Sequence, residues 1–598
     1  MPRHGCSNMA RILVACLLLA GQIASLGCTA PWTSTMNPWA EDKPDPASHE
    51  WDELQMVGDI TGVVGMSPAN ISAFTLVTQL AGTGSDPPPG EARNMVLAEM
   101  RIRQVDGIDA VLASPLTALV YAEATIPPGA RKGDRIDVRV LAPPETDTTS
   151  LEGGWVLDTI MSEMAMLGGR MRKGREIARA VGPIMLDSVV DGNVSDANKI
   201  RGTILGGAEL RAERPLGIGL VKDHVSIAAS TRVSAAINNR FFAYRDGTKQ
   251  GVANPTSDKF IELSVHPRYQ DSIDRYVRVI RFIPIVRDTS ARLAFISQAE
   301  EELLQHETSQ MGAMKLEAIG KEGIEPLKKG LESSDELVRF CAAEALAYLN
   351  VPASIEPLTE AARANNGFRY RAMLALGSYD DLDVIDALEG LLNAESAEAR
   401  YGAFDQLKKR SSELPSIAGQ VLPNFVALHK VRSAAAPMVH FRTKDRAEIA
   451  IFGSDVRLEG NVLFVGQDGL TIKSTGHRKL KVVRFMAGGE EESRECSTDV
   501  VELVQALTDI DCQYGEIVRT LFALRSEGFL TARVEVNAMP RRDRSYIESD
   551  EEEQKLPAET AEMLTGNFSQ SEEIAEKEDP SELSTSTDGD NTLIPTFD

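Results

Sequence analysis

The sequence predicts an α+β fold that is interrupted by an α-solenoid insert and ends in a disordered acidic C-terminal tail. Three observations predict this organisation. Mixed strand and helix patterns run from Trp51 to Val286 and return from Ile449 to Val536. A helical pattern that repeats about every 30 residues separates them. From Glu548 to Asp598 there are sixteen acidic residues and two lysines, a net charge of -14.

The N-terminal residues have the pattern of an export signal. Arg3 and Arg11 precede the apolar run Ile12–Ala20, which is too short to span a bilayer. The segment Ser25-Leu26-Gly27-Cys28 is similar to the site at which bacterial lipoproteins are acylated and cut, although leucine is usual where Ser25 stands. We therefore predict an export signal at residues 1–28 with a lipid on Cys28. The alternative is an ordinary signal peptide that is cleaved near the same place.

The first α+β region is predicted at residues 51–295, after a linker at 29–50 that is rich in Pro, Ser and Asp. Val120–Thr125 and Arg135–Val140 alternate as strands do, with a Pro-Pro-Gly turn between them. Ser230–Phe242 has apolar residues at helical spacing, with Ser230 or Thr231 as its cap. The remaining predicted elements are the strands Ile261–Val265 and Arg281–Val286 and the helix Asp271–Ile280.

Residues 296–412 contain an internal repeat. Three stretches align, namely Ile324–Leu327, Ile355–Leu358 and Ile385–Leu388. Each is followed by an arginine that has alanine and leucine three and seven positions later, and these arginines are Arg339, Arg369 and Arg400. The period predicts short HEAT-like repeats, each a pair of antiparallel helices. Such solenoids mostly bind other proteins.

A connector is predicted at residues 413–448, a second α+β region at 449–540 and the acidic tail at 541–598. The tail should be disordered, because it combines high charge with no apolar periodicity. It is interpreted as a solubilising tail or as an acidic arm for a basic partner. The elements predicted in the second region are the strands Ile449–Val465, Leu470–Phe485 and Thr531–Val536, and the helices Thr498–Leu507 and Tyr514–Glu527 with Gly528 as C-cap.

The chain has six cysteines, of which three lie in the export segment. Cys496 and Cys512 flank a predicted helix, which separates their Cα atoms by roughly 20 Å. This distance is too long for a disulfide, so we predict that they do not pair with each other. Cys341 lies on an apolar repeat helix and is predicted to be a buried thiol.

The sequence contains no pattern that is typical of a catalytic, cofactor-binding or metal-binding site. The net charge of -25 argues against a nucleic-acid partner. The histidines are scattered without metal-ligand spacing, and the nucleophile and phosphate-loop motifs are missing. Asp134 and Asp137 lie on opposite faces of a strand and are interpreted as solvated. We therefore predict that the protein is not an enzyme.

One basic cluster stands out in this acidic chain. Arg170, Arg172, Lys173 and Arg175 are predicted to form a basic contact loop that binds an acidic protein surface or the carboxylates of peptidoglycan. The alternative interpretation is a solvated loop with no partner.

Several stretches of the sequence carry a family resemblance, beginning with Val57–Val63 and Leu76–Asp86, where a strand and turn run into a Gly-Thr-Gly loop. Ala118–Met161 contains a Pro-Pro turn, a basic–Gly–acidic strand start and a Ser-Leu-x-Gly-Gly motif. Gly206–Asn238 and Ile261–Ile285 follow, and Phe452–Lys473 and Val500–Val536 come after the helical repeats. In this order the blocks resemble the flagellar P-ring protein family, whose members are periplasmic ring subunits of the bacterial basal body. The helical repeats are not a usual part of that family.

The resemblance implies a structural ring subunit that supports motor rotation and motility. Many copies would form a closed ring around the flagellar rod at the peptidoglycan layer in the periplasm. The implied partners are further copies of the chain, the rod, other ring proteins and peptidoglycan, and a lipid on Cys28 would add an outer-membrane anchor. The alternative is a non-flagellar envelope lipoprotein scaffold whose repeats bind protein partners. The split resemblance also predicts that Leu293 and Ile449 lie close together.

Overall fold

The computed structural model describes residues 55–168, 170–187, 196–245, 247–285, 289–423, 426–466, 469–485 and 491–544. They contain both helices and strands, as the α+β prediction requires. The predicted export signal, the linker and almost all of the acidic tail lie outside these ranges. Among the described residues, no helix is long and apolar enough to cross a membrane.

The first region contains six helices and fifteen strands within the described ranges. Its helices are α1 (Val57–Ile60), α2 (Glu91–Ile102), α3 (Ile108–Leu112), α4 (Asp196–Lys199), α5 (Ile227–Arg240) and α6 (Ile273–Arg281). Its strands are β1 (Thr61–Val64), β2 (Ala69–Thr78), β3 (Ala118–Ile126), β4 (Arg135–Leu141), β5 (Trp155–Met161), β6 (Met164–Leu167), β7 (Arg170–Lys173), β8 (Ala178–Pro183), β9 (Met185–Leu186), β10 (Arg201–Leu210), β11 (Leu216–Leu220), β12 (Phe242–Arg245), β13 (Thr248–Gly251), β14 (Ala253–Pro255) and β15 (Phe260–Leu263).

The largest sheet of this region closes on itself. Its strand order is β4-β3-β2-β5-β8-β10-β9, and β4 pairs with β10 as well as with β3. In β4 the side chains of Ile136, Val138 and Val140 are buried, whereas those of Arg135 and Arg139 are exposed. This alternation is the period-two pattern that predicted the strand, and it directs one face of the closed sheet into the core.

A second sheet, in the order β1-β11-β15-β14, packs against α5 and α6. Helix α5 begins earlier than predicted, because Ser226 is its cap. Ser226 is extended and its Oγ accepts a hydrogen bond from the Ala229 N–H, whereas the hydroxyls of Ser230 and Thr231 donate to the Ile227 carbonyl inside the first turn.

The predicted strand Arg281–Val286 is wrong over its described residues. Helix α6 continues to Arg281, and Pro284 makes only an isolated bridge because it has no N–H.

Eight helices follow between residues 289 and 410. They are α7 (Thr289–Leu304), α8 (Ser309–Ile319), α9 (Ile324–Leu331), α10 (Glu336–Tyr348), α11 (Ile355–Ala364), α12 (Asn366–Gly377), α13 (Asp383–Leu391) and α14 (Ala397–Arg410). Helices α9, α11 and α13 begin at or beside the three aligned stretches. Asp335, Asn365 and Ser396 cap the second helix of each pair through side-chain oxygens that accept backbone N–H groups. The assignment of these helices to a HEAT-like solenoid stays a prediction.

The segment 413–448, predicted as a connector, contains three strands. These are β16 (Gly419–Val421), β17 (Ala427–Val431) and β18 (Met438–Lys444), and they join β19 (Arg446–Phe452) and β24 (Arg533–Val536) in one sheet of order β16-β17-β19-β18-β24. Almost every residue of β18 is buried. A strand that is buried on both faces lacks the alternation by which strands are recognised, and this is why the sequence prediction missed it.

The rest of the second α+β region is a meander and two helices. The strands β20 (Leu463–Val465), β21 (Leu470–Gly476), β22 (Lys479–Phe485) and β23 (Glu491–Ser497) form one sheet, and the helices are α15 (Val500–Asp509) and α16 (Tyr514–Ser526). The strand pattern predicted at Ile449–Val465 covers most of β19 and all of β20, and that predicted at Leu470–Phe485 covers β21 and β22. Gly528 follows α16 with φ of 82°, as a C-terminal glycine should.

The two α+β regions share one hydrophobic core, although the helices separate them in sequence. Ile71, Val120 and Val138 of the closed sheet belong to the same buried cluster as Phe441 and Ile449. A second cluster joins α5, α6, β11 and β15 to helices α10–α14. Ile449 thus lies in the shared core, whereas Leu293 is exposed on α7, and the proximity of these two residues stays a prediction.

Candidate interaction site

The basic cluster lies on a two-stranded hairpin rather than in a loop. Strand β7 carries the first three basic residues and pairs with β6 in a register that places Arg172 opposite Ala165 and Lys173 opposite Met164. The hairpin is attached to α2, because the Met171 N–H donates to Glu91 Oε1 at 2.6 Å. The sequence prediction missed the strands because an antiparallel pair of four residues is too short to show a pattern.

The basic side chains of this hairpin differ in their surroundings. Lys173 Nζ lies 3.7 Å from Glu99 Oε2 on α2. Arg172 and Arg175 are exposed, and no acidic group within the described ranges pairs with either. Arg170 is on β7, but its side chain is outside the described part of the chain, as is Cys28. The hairpin therefore presents at least two solvated guanidinium groups, the groups best suited to bind carboxylates with two hydrogen bonds each.

A buried group of charges joins the first α+β region to the helices. We call Arg275, Glu317, Glu344 and Arg371 the entry cluster. Arg275 of α6 is 7% exposed and donates from Nε to Glu317 Oε2 of α8 at 3.1 Å. Arg275 Nη1 lies 2.5 Å from Glu344 Oε2 of α10, and Arg371 of α12 also pairs with Glu344. Four helices are thus fixed by one charge network.

The two carboxylates of the entry cluster differ in their pKa values. Burial raises the pKa of Glu317 above its ordinary value, although Arg275 opposes this effect. Burial acts in the same direction on Glu344, but Arg275 and Arg371 together outweigh it and lower the pKa of Glu344. Among the described residues, Arg275 is the single ion-pair partner of Glu317, which otherwise accepts a hydrogen bond from the Tyr269 hydroxyl at 2.6 Å.

A second buried group joins the last helix to the second α+β region. We call Asp405, Lys408, Arg442, Arg446 and Glu448 the exit cluster. Asp405 of α14 accepts from Arg442 at 3.0 Å and from Arg446 at 2.7 Å. Glu448 of β19 accepts from Arg446 Nε at 2.9 Å and also pairs with Lys408. Each carboxylate therefore has at least two cationic partners.

This redundancy lowers the pKa of both carboxylates in the exit cluster. Burial alone would raise the pKa of Asp405 and of Glu448, but their cationic neighbours outweigh it and bring both values to about 2.

His440 of β18 lies near the exit cluster. Its ring is stacked on Tyr401 with ring centroids 3.6 Å apart, and its Nε2 accepts a hydrogen bond from the Ala538 N–H. Burial lowers the pKa of His440 to about 3, so its imidazole is neutral at pH 7.

The two α+β regions also touch directly through Asp137. One carboxylate oxygen accepts from the Gly206 N–H at 2.7 Å, and the other accepts from the Asp445 N–H at 2.8 Å. Burial raises the pKa of Asp137, against the effect of these two hydrogen bonds. The prediction that Asp137 is merely solvated is therefore wrong. Asp134 is exposed and accepts from the Arg131 N–H within its own turn.

The cysteines in the described part of the chain are all free thiols. Cys341 is buried, as predicted, and Cys496 and Cys512 do not pair with each other. Burial raises the pKa of Cys496 to about 11 and that of Cys512 to about 12, so both thiols are protonated at pH 7. Within the same ranges, no group of His, Cys, Asp or Glu is arranged to hold a metal ion.

Comparison with known proteins agrees with the family resemblance in the first region. A family model described as Flagellar P-ring protein matches residues 56–301. This part of the chain matches the flagellar P-ring protein family. The P-ring-like part contains the closed sheet, the basic hairpin, α6 and most of α7. It ends inside α7, so the resemblance of Phe452–Lys473 and Val500–Val536 to the same family stays a prediction.

Individual P-ring proteins show the same likeness. The chain is 27% identical over 249 residues to the flagellar P-ring protein of Thermotoga maritima, covering 40% of this chain and 69% of that protein. It is 28% identical over 249 residues to that of Anaeromyxobacter dehalogenans, covering 40% of this chain and 62% of the relative. For Wolinella succinogenes the identity is 27% over 208 residues, covering 34% and 55%.

Proposed function

We propose that the protein is a structural subunit of a periplasmic P-ring around the flagellar rod. The observation that carries this proposal is the family match over residues 56–301, together with relatives named flagellar P-ring protein. A ring of identical copies requires head-to-tail contacts whose rotation closes. The role is structural rather than enzymatic, and it places the chain in the basal body at the peptidoglycan layer, where the ring supports rotation and motility.

The experiment that tests this function is deletion of the gene, followed by scoring of motility and of basal-body rings in the same cells. We expect both to be lost while growth is normal, and both to return when the full chain is expressed from a second site. Cells that keep intact rings and swim would contradict the proposal. They would favour the alternative of a non-flagellar scaffold built on a P-ring-like fold.

The exposed arginines of the β6–β7 hairpin are proposed as a contact to carboxylates of the rod or of peptidoglycan. The support is the absence of acidic partners for Arg172 and Arg175 among the described residues. The double variant Arg172→Gln/Arg175→Gln should weaken binding to purified peptidoglycan sacculi or rods. The matched control is Lys132→Gln/Arg139→Gln, which removes the same charge from exposed positions of the same region. Equal binding by both variants would reject this contact.

The helices between residues 289 and 410 are proposed as a HEAT-like module on the outside of the ring that contacts other envelope proteins. Their support is the repeated cap and the period of about 30 residues. Site-specific photocrosslinking from Leu382, which is 74% exposed at the start of α13, should capture such a partner in cells. Capture of ring copies alone would show that this face is an assembly surface instead.

A lipid on Cys28 is proposed to anchor the exported chain to the outer membrane. Mass spectrometry of the mature N-terminus tests this directly. A diacylglyceryl cysteine at position 28 supports the anchor, and an unmodified N-terminus beyond that position supports an ordinary cleaved signal peptide. Cys28→Ser should then release the protein from the membrane fraction without preventing its folding.

A further inference from the structure

A basic cleft lies between the P-ring-like part and the first helices. Its volume is about 1110 Å³. Helix α5 and strand β12 line one side, and the C-terminal ends of α8 and α10 line the other. The cleft is distinct from the β6–β7 hairpin, which lies on the closed sheet's side of the region and contacts α2.

The charge of this cleft is opposite to that of the chain. Its lining contains five cationic side chains and two acidic ones, in a protein whose net charge is -25. The two acids are already paired, since Glu322 binds Arg292 and Asp380 binds Arg268. The three other cations are Arg232, Arg240 and Lys321. No acidic side chain within the described ranges forms an ion pair with them.

The guanidinium of Arg240 is held in place by two contacts, but one of its nitrogen atoms lacks a hydrogen-bond partner among the described residues. Its Nε donates to the Glu317 main-chain carbonyl at 2.9 Å, and its guanidinium lies over the Phe241 ring at 4.5 Å from the centroid. Its Nη2 is buried and has no hydrogen-bond partner in the described part of the chain. A buried donor without an acceptor is costly, by roughly 1–3 kcal/mol, so this position favours an anionic ligand. Arg232 and Lys321 are exposed on the same cleft and add charge around it.

The chain itself contains a segment of matching chemistry. Residues 548–598 have a net charge of -14. The described chain ends at Arg544, where Arg542 pairs with Asp274 at the start of α6 and Arg544 pairs with Glu398. Asp274 follows soon after Arg268, which lines the cleft. An extended chain covers about 3.3 Å per residue, so roughly fifty residues are ample to reach it.

We propose that the acidic segment 548–598 docks into the basic cleft of its own chain, where its carboxylates bind Arg240, Arg232 and Lys321. The segment then contacts α5 and β12 on one side and the ends of α8 and α10 on the other. It therefore holds the P-ring-like part against the first helices. This contact does not depend on ring assembly, so it can be tested in the purified chain.

The test is zero-length carbodiimide crosslinking of the full-length protein, which joins a lysine to a carboxylate only when the two are in contact. We expect Lys321 to crosslink to residues 548–598 several-fold more than the exposed lysines Lys132 and Lys473 do. Crosslinking should fall in high salt, because screening weakens exposed charge pairs. Equal yields at all three lysines would overturn the proposal.

Two further measurements test whether the docking occurs within one chain and whether it depends on the charge of the cleft. In an equal mixture of ¹⁵N-labelled and unlabelled chains, docking within one chain predicts crosslinked peptides of a single isotope, and mixed-isotope products would overturn it. Arg232→Gln, which is exposed and should not affect folding, should reduce the Lys321 crosslink several-fold, whereas the matched control Arg139→Gln should leave it unchanged. An unchanged yield in Arg232→Gln would also count against the proposal.

Discussion

The entry and exit clusters both bury charge at a junction of the helices, but they distribute it differently. In the entry cluster, Glu317 is fully buried and relies on Arg275 as its one ion-pair partner among the described residues. In the exit cluster, Asp405 and Glu448 each have several cations, of which Arg446 is 32% exposed. The pKa values of the carboxylates differ in the same way. The pKa of Glu317 is raised, whereas the pKa values of Asp405 and Glu448 are lowered to about 2.

From this comparison we infer that the number of cationic partners of each carboxylate, more than its burial, decides how easily a buried charge network is disrupted. Removal of a sole partner leaves an uncompensated charge in a medium that cannot solvate it. Removal of one of several partners leaves the charge compensated. We therefore expect the entry junction to fail first when single residues are changed.

The largest effect should come from Arg275→Met. Because Glu317 then loses its only ion-pair partner among the described residues and Glu344 loses one of two, we expect the free energy of unfolding to fall by roughly 3–5 kcal/mol. Urea unfolding of the full-length chain measures this. The control is Arg292→Met, whose exposed pair with Glu322 should contribute less than about 1 kcal/mol. Equal losses of unfolding free energy in Arg275→Met and Arg292→Met would contradict the expected difference between a buried and an exposed ion pair.

The direct contact between the α+β regions can be broken without replacing a member of either cluster. Asp137→Ala removes the acceptor of two backbone N–H groups, from Gly206 and Asp445, and should cost roughly 2 kcal/mol. Hydrogen exchange at these two amides should rise as well. Asp134→Ala, which removes one exposed hydrogen bond in a turn, should cost less than half as much. A larger loss in Asp134→Ala would show that Asp137 does not join the regions.

The neutral His440 makes the exit junction sensitive to acid. Its pKa is about 3 in the folded chain and about 6.5 in the unfolded chain, so below pH 6.5 protons bind the unfolded state first and stability falls as pH falls. Between pH 6.5 and 5 this amounts to at most roughly 2 kcal/mol. The variant His440→Gln keeps an acceptor for the Ala538 N–H and should flatten the pH dependence of unfolding. An unchanged pH dependence of unfolding in His440→Gln would contradict this explanation.

The smallest effect should come from Arg446→Met in the exit cluster. Glu448 keeps Lys408 and the Tyr401 hydroxyl, and Asp405 keeps Arg442, so we expect a loss of about 1 kcal/mol. The same urea unfolding experiment measures it beside Arg275→Met. If Arg446→Met lost as much stability as Arg275→Met, the number of cationic partners would not explain how the two clusters differ.

Much of the fold was predictable from local patterns. The alternation of β3 and β4, the helices beside the three aligned stretches and the C-terminal glycine after α16 all follow from side-chain periodicity and backbone preference. The strand β18 was missed, since a strand that is buried on both faces lacks alternation. The pairing that brings the two α+β regions into one core depends on contacts far apart in sequence, which no local pattern encodes.

The junction residues were harder to find than the basic hairpin. A run of arginines is visible in any sequence, and Arg172 and Arg175 were recognised in this way. Glu317 and Glu344 are buried acids on apolar helices, and a charged residue at a core position is the one local signal that could have found them. Their partners Arg275 and Arg371 are known only once the helices are packed.

We propose that this chain is a P-ring-type subunit whose helices pack firmly against the rest of the fold. Subtomogram averaging of basal bodies, in cells with the full chain and in cells that lack the gene, tests it most directly. We predict a ring at the peptidoglycan layer whose subunits each carry ordered extra density for the helices, and no ring without the gene. A ring that persists in the deletion strain would contradict the account.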